Sequence, residues 1–198
     1  MKKNLIVIAM ALSGLLLGSC AKPPQVELDA VKASIDQTKM AEADVYMPVE
    51  FAALQDSLNV IQAEIEVQKS KMFGKYEAVK QKITVLETLA MNLEDNTMKA
   101  KELLTQEVKD LHAQVTQLLI DNNALVTKAP KGKEGKAAIE AIKGELAIIE
   151  AAVNEIPAIL ESGKILESKT KAQAALEKAT ALHTELTAVV DKYNKRKK

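Results

Sequence analysis

The 198 residues suffice for one domain or two small ones, and with 47% hydrophobic, 27% charged and only 3% aromatic content, no Trp and five Pro, they argue against a sandwich or barrel. Ala, Leu, Glu and Lys dominate, as in long helices and coiled coils. Lys and Arg (27) balance Asp and Glu (27), which leaves no broad basic field for nucleic acid, and a single Cys excludes an intramolecular disulfide and any multi-Cys metal site.

Lys2 and Lys3 precede an apolar run over residues 5–17, shorter than the ~20 residues that span a bilayer, so residues 1–19 read as a signal peptide. The run ends in Leu17-Gly18-Ser19-Cys20. Gly18 and Ser19 are small enough for an extended backbone to enter a protease cleft, and the Cys20 thiol is the soft nucleophile to alkylate. This stretch resembles the lipobox of bacterial lipoproteins. The resemblance implies diacylglycerol on the Cys20 sulfur, cleavage between Ser19 and Cys20, and acylation of the new amine. Each buried methylene adds ~0.8 kcal/mol, and stable anchoring takes at least two chains, so a multiply acylated Cys20 would hold the protein on a membrane without a spanning helix. No other cofactor is expected. Ala21, rather than Asp, follows Cys20, which resembles the outer-membrane sorting default of Gram-negative lipoproteins. The expected location is the periplasmic side of a bacterial outer membrane. Residues 20–25 then form the lipidated head and a stiff spacer, because Pro23-Pro24 favours polyproline II.

Helical spacing of Leu28, Val31, Ile35 and Val45, with Thr38 and Ala41, predicts a first helix over 26–44. Tyr46-Met47-Pro48 should break it, and Pro48 suits the first turn of the next helix, with Glu50 near its positive end. Phe51, Leu54, Leu58, Ile61, Ile65 and Met72 predict that second helix over 48–72, closed by Gly74 as a left-handed cap. Tyr76, Val79, Ile83, Leu86, Ala90 and Leu93 open a third run, which Thr97, Ala100, Leu104, Val108, Leu111, Val115 and Leu118 carry on to Asn122 and Leu125. At 1.5 Å per residue this makes roughly 75 Å of helix, with a stutter at Leu104 to Val108 and the polar Thr97 and Asn122 in the seam to fix register. A linker is expected over 129–136. Ile142, Leu146, Ile149, Val153, Ile156 and Leu160 mark a fourth helix that Pro157 should kink or end early. After a turn at Gly163, Ala172, Leu176, Ala179, Leu182, Leu186, Val189 and Tyr193 mark a fifth. The expected fold is all-α, an elongated antiparallel helical bundle of coiled-coil hairpins sharing one long central helix. The expected parts are an N-terminal bundle over 26–128 and a C-terminal hairpin with a basic tail over 137–198.

Ala43, Tyr46, Pro48 and Glu50 form the pattern Ala-x-x-Tyr-x-Pro-x-Glu, and Gly74-Lys75-Tyr76-Glu77-Ala78 leads into an Ala-rich helix. The chain thereby resembles a family of uncharacterised helical domains in bacterial envelope lipoproteins, whose members commonly begin with a lipobox and a Pro-containing spacer. The resemblance covers roughly the first half of the chain after Cys20. It implies a periplasmic helical module, and leaves Tyr46 and Pro48 the structural role of shaping a helix corner.

His112 and His183 have no His or Cys at i+3 or i+4, so no metal site is expected. No Gly-rich phosphate loop, nucleophile elbow or His-Glu-x-x-His motif occurs, paired acids such as Glu94-Asp95 read as solvated faces, and the chain is not expected to be an enzyme. The tail Tyr193-Asn194-Lys195-Arg196-Lys197-Lys198 resembles the end of the murein-linked outer-membrane lipoproteins, which implies Lys198 as an amine nucleophile for attachment to peptidoglycan. Lys195, Arg196, Lys197 and Lys198 equally suit electrostatic contact with anionic envelope polymers, or a solvated helix end that complements the dipole. The expected function is a lipid-anchored envelope lipoprotein with a structural, scaffolding or tethering role through protein or peptidoglycan contacts. The alternative is a helical-bundle carrier for a small apolar ligand or lipid.

Overall fold

A computed structural model describes residues 22–129 and 133–197, the side chains of 133–135 and 196–197 apart. The described residues form six helices and no strand: α1 (Gln25–Met40), α2 (Ala43–Tyr46), α3 (Pro48–Lys69), α4 (Glu77–Lys128), α5 (Lys133–Glu161) and α6 (Ile165–Lys197). The fold is all-α, and its 52-residue α4 is the long shared helix. Packing gathers into two compact units, one through Lys99 and one from Ala100, each taking part of α4.

In the first unit, a helix with one apolar stripe must bury it. Leu28, Val31 and Ile35 of α1, Phe51, Leu54, Ile61 and Ile65 of α3, and Val79, Ile83, Leu86, Ala90 and Leu93 of α4 form one core, closed by Tyr76 just before α4. Each fully buried aliphatic side chain contributes about 1.5–3 kcal/mol. Polar contacts fix the directions. Glu27 of α1 pairs with Lys80 of α4 at 3.3 Å, and further along both helices the buried Thr38 hydroxyl donates to the Ala90 carbonyl at 3.1 Å, so α1 and α4 run parallel. Lys82 pairs with Glu64 near the end of α3, whereas Glu50 and Leu54 near its start share a groove with Leu89 and Leu93 further along α4, so α3 and α4 run antiparallel.

The first helix ends at Met40, before the expected position 44. Glu42 takes the left-handed conformation (φ 69°), the chain turns, and α2 points Ala43 into the core while Val45 is left 51% exposed. The second helix ends at Lys69, so Met72 lies outside it and is 88% exposed. Gly74 is not a left-handed cap: among the described residues the positive-φ glycine is Gly163. Gly74 serves close approach, since a Cβ there would lie 2.6 Å from the Gln68 carbonyl oxygen.

In the second unit the buried apolar residues are Val108, Val115, Leu119 and Val126 on α4, Leu146, Ile149, Val153 and Ile156 on α5, and Ile165, Ala172, Ala175, Ala179, Leu182, Leu186 and Val190 on α6. Four expected core positions shift by one residue. Leu119, Val126, Ala175 and Val190 are buried where Leu118, Leu125, Leu176 and Val189 were expected. A straight helix of 3.6 residues per turn drifts by about 20° per heptad against a strict seven-residue repeat, and the buried stripe moves with it. Helix α5 begins at Lys133, inside the stretch expected to be linker, and continues through Pro157 to Glu161. Pro157 carries no N–H, so one internal bond of the last turns is missing. The buried Ser168 hydroxyl donates to the neighbouring Ile156 carbonyl at 3.1 Å and ties α6 to this point.

Gly163 (φ 83°) reverses the chain after α5. Its N–H donates to the Leu160 carbonyl at 3.0 Å, and the Lys164 N–H to the Ile159 carbonyl at 3.3 Å, the paired bonds of a Schellman motif. A contrast follows. Gly163→Ala is expected to lower stability by about 1–2 kcal/mol, because Cβ meets its own backbone at this φ. Gly144→Ala, in mid-α5 with open space around the added Cβ, is expected to raise it by about 0.5–1 kcal/mol. Urea denaturation of the two variants checks both signs.

Candidate functional site

Cys20 and Ser19, the expected lipidation and cleavage positions, lie outside the described residues, as does Lys198. The described chain starts at Lys22, two residues after Cys20, and Pro24 is already fully buried. The first packed side chain therefore sits four positions from the sulfur.

Ala43, Tyr46, Pro48 and Glu50 come together at the corner between α1 and α3. Ala43 is wholly buried, where a larger side chain would push the short α2 off the core. The Val45 and Tyr46 N–H groups both donate to the Glu42 carbonyl at 3.0 Å, and Met47 N–H donates to the Ala43 carbonyl at 2.8 Å. Tyr46 is half-buried. Pro48 is the first residue of α3, where a missing N–H costs no bond, and the exposed Glu50 sits in the first turn at the positive end of the dipole. The four residues build a turn, and Glu50 also borders a shallow groove of about 300 Å³ with Met47, Ser57, Leu89 and Asn96.

At the other terminus α6 reaches Lys197. Lys195 is exposed on its last turn, and the half-buried Tyr193 precedes it. The side chains of Arg196 and Lys197 are not among those described.

Packing joins two polar residues that periodicity leaves far apart. Asn122, wholly buried on α4, donates from Nδ2 to the Ala179 carbonyl of α6 at 2.8 Å, and its Oδ1 lies 2.8 Å from Nδ1 of His183. With Oδ1 as acceptor, Nδ1 of His183 is the protonated nitrogen. The sequence signal was Asn122 in an apolar seam; nothing local pointed to His183 as its partner. His112 is half-buried elsewhere, in a depression of about 400 Å³ bounded by Val108, Lys109, Pro157 and Leu160. No group of three or more His, Cys, Asp or Glu among the described residues is placed to hold a metal ion.

A larger groove of about 630 Å³ opens between α3 and α4 of the first unit, where Val60, Val85 and Leu89 are each more than half exposed. On α1 the Glu27 carboxylate accepts from its own backbone N–H, which with Lys80 at 3.3 Å holds it below the usual carboxylate range although desolvation opposes the shift. No described helix is long and apolar enough to cross a membrane. Comparison of the chain with protein-family models, curated proteins and solved structures gave no match.

Proposed function

We propose that the chain is an outer-membrane lipoprotein on the periplasmic side of a bacterial envelope, anchored by acyl groups on Cys20 and acting as a structural tether or scaffold. The observation that carries this reading is Leu17-Gly18-Ser19-Cys20 at the end of a thirteen-residue apolar run over 5–17, with the chain's one Cys at this position. The packed helical unit that starts at Pro24 supports it, because attachment at Cys20 would act directly on folded structure. Membership of the lipoprotein family with the Ala-x-x-Tyr-x-Pro-x-Glu signature belongs to the same proposal. So does the reading that the chain is not an enzyme: among the described residues the buried polar groups that meet across helices are the Thr38 and Ser168 hydroxyls on backbone carbonyls and the Asn122–His183 pair, contacts that hold helices together.

The open α3/α4 groove favours a contact surface over a carrier. A carrier encloses most of its ligand, whereas Val60, Val85 and Leu89 line a trough that an amphipathic helix of an envelope protein could fill. The second contact is the basic tail. Deleting residues 195–198 is expected to reduce co-sedimentation with purified peptidoglycan several-fold at low salt, through loss of four cationic side chains. Unchanged sedimentation would remove the tail from the tethering model. Detergent-resistant recovery of wild type alone would indicate covalent attachment through Lys198; salt-sensitive recovery would indicate electrostatic contact.

A further inference from the structure

The turn between α3 and α4 combines features that the anchor reading does not use. Met72 is 88% exposed and Phe73 76% exposed, side by side at the tip. Isolated exposed apolar residues are ordinary, but here Lys69, Lys71 and Lys75 bracket the pair, and no acid occurs from 69 to 75. Lys69 pairs with Glu66 at 2.7 Å, whereas Lys71 and Lys75 have no carboxylate partner among the described residues. The turn is also rigidly seated. Lys75 N–H donates to Gln68 Oε1 at 3.1 Å, Lys71 N–H to the Gln68 carbonyl at 3.2 Å, and Tyr76 is buried in the core below.

The register of the helices places this tip. Glu27 meets Lys80 and Thr38 meets Ala90 along parallel helices, so stepping back along both brings the start of α1 at Gln25 level with the start of α4 at Glu77, next to the 69–75 turn. Lys22, just before α1, is thus at the same end of the first unit as Met72 and Phe73, and two residues of chain separate it from Cys20. Two residues of chain reach at most about 7 Å. An apolar tip ringed by lysines is the pattern that enters the interface of an anionic bilayer, with alkyl and aromatic groups among the acyl chains and ammonium groups among the phosphates.

We propose that the 69–75 turn is a second membrane contact, in which Met72 and Phe73 enter the surface of an anionic bilayer and Lys71 and Lys75 bind its headgroups, orienting the first unit on the membrane. This deepens the lipid-anchor reading, which supplies the tether that brings the tip to the surface.

The test uses the full chain with its own leader, purified from membranes and reconstituted in vesicles containing phosphatidylglycerol. Ser70→Cys carries an environment-sensitive fluorophore beside the tip, and Lys39→Cys carries one at the far end of α1. The Ser70 label is expected to shift to the blue on anionic vesicles and the Lys39 label to stay at its aqueous wavelength. Adding Lys71→Gln and Lys75→Gln is expected to lower the ratio of membrane-inserted to aqueous Ser70 label on the reconstituted protein about thirtyfold, at about fivefold per lysine. Met72→Ser with Phe73→Ser is expected to abolish it, with unchanged helicity by circular dichroism. A Ser70 label that stays aqueous on vesicles overturns the proposal, and so does a blue shift produced by concentrating the protein without lipid, which would give the tip to a second copy. The mass of the N-terminal peptide is read in the same sample. Cys20 without acyl groups, together with a vesicle-dependent shift that persists when Cys20→Ala is combined with Ser70→Cys, would defeat the anchor and leave the tip contact standing; acylated Cys20 with an aqueous tip would do the reverse.

Discussion

Cys20→Ala is expected to abolish acylation and to leave the leader uncleaved. Alkylation requires a thiolate sulfur, and the chain holds one Cys. Under the lipobox reading the thioether precedes cleavage, so loss of the sulfur stops both steps. The variant should carry the extra mass of residues 1–19, incorporate no labelled fatty acid and leave the outer-membrane fraction. A single myristoyl-sized chain gives a membrane association constant of only about 10⁴ M⁻¹ and further chains multiply it, so the loss is expected in recovery from the outer-membrane fraction, while the uncleaved apolar leader over 5–17 keeps the variant on the membrane where it was inserted. Cys20→Ser should behave alike, because a hydroxyl is a poor nucleophile near neutral pH. A Cys20→Ala protein processed and fractionated like wild type would end the anchored reading.

The second large effect is expected at Asn122. Asn122→Ala removes the bond to the Ala179 carbonyl and the acceptor for His183, and leaves a void at a fully buried seam position. Two lost hydrogen bonds at about 0.5–1.5 kcal/mol each, together with the cavity, give a loss of about 2–4 kcal/mol. For a chain of this size that lowers Tm by roughly 6–12 °C. Asn122→Leu separates polarity from volume. It fills the space with apolar atoms and should cost less, and it can raise Tm, because a buried polar residue in a helical seam trades stability for register. The register is the cost: Asn122→Leu is expected to broaden the amide spectrum of α4 and α6 residues, while Asn122→Ala unfolds earlier with sharp lines. His183→Ala alone should cost less than Asn122→Ala, since His183 is only half-buried, and the double variant should fall short of additivity because both act through one bond. Equal Tm for wild type and Asn122→Ala would mean that the buried amide does not hold α4 to α6.

Much of this architecture was legible beforehand. Val31, Ile83, Leu86, Val115 and Leu186 sit at helical spacing in the sequence, and each is buried. Pro48 marked the start of α3 because its ring and missing N–H cost no internal bond in a first turn. Gly163 marked the end of α5 as the residue free to take positive φ. The reversal at Glu42 was not legible, because Glu carries no bias toward the left-handed region. Gly74 was legible as a necessary glycine but not for its reason, which is a carbonyl of another residue pressing on the space a Cβ would need. Asn122 was visible as a polar residue in an apolar seam, whereas His183, 61 positions away, gave no local sign of their bond.

The sequence by itself determined the helices, their apolar faces, most of their ends and the motif at Cys20, because periodicity, proline, glycine and a lone cysteine act through neighbours a few residues away. The tertiary structure alone decided which of two adjacent apolar residues enters the core, as at Leu118 and Leu119, and which polar groups meet across helices. It also decided that Met72 and Phe73 emerge at the end of the bundle nearest Lys22. Those outcomes depend on how far each helix rotates and slides against its partners to fill space, and local spacing carries no information on either.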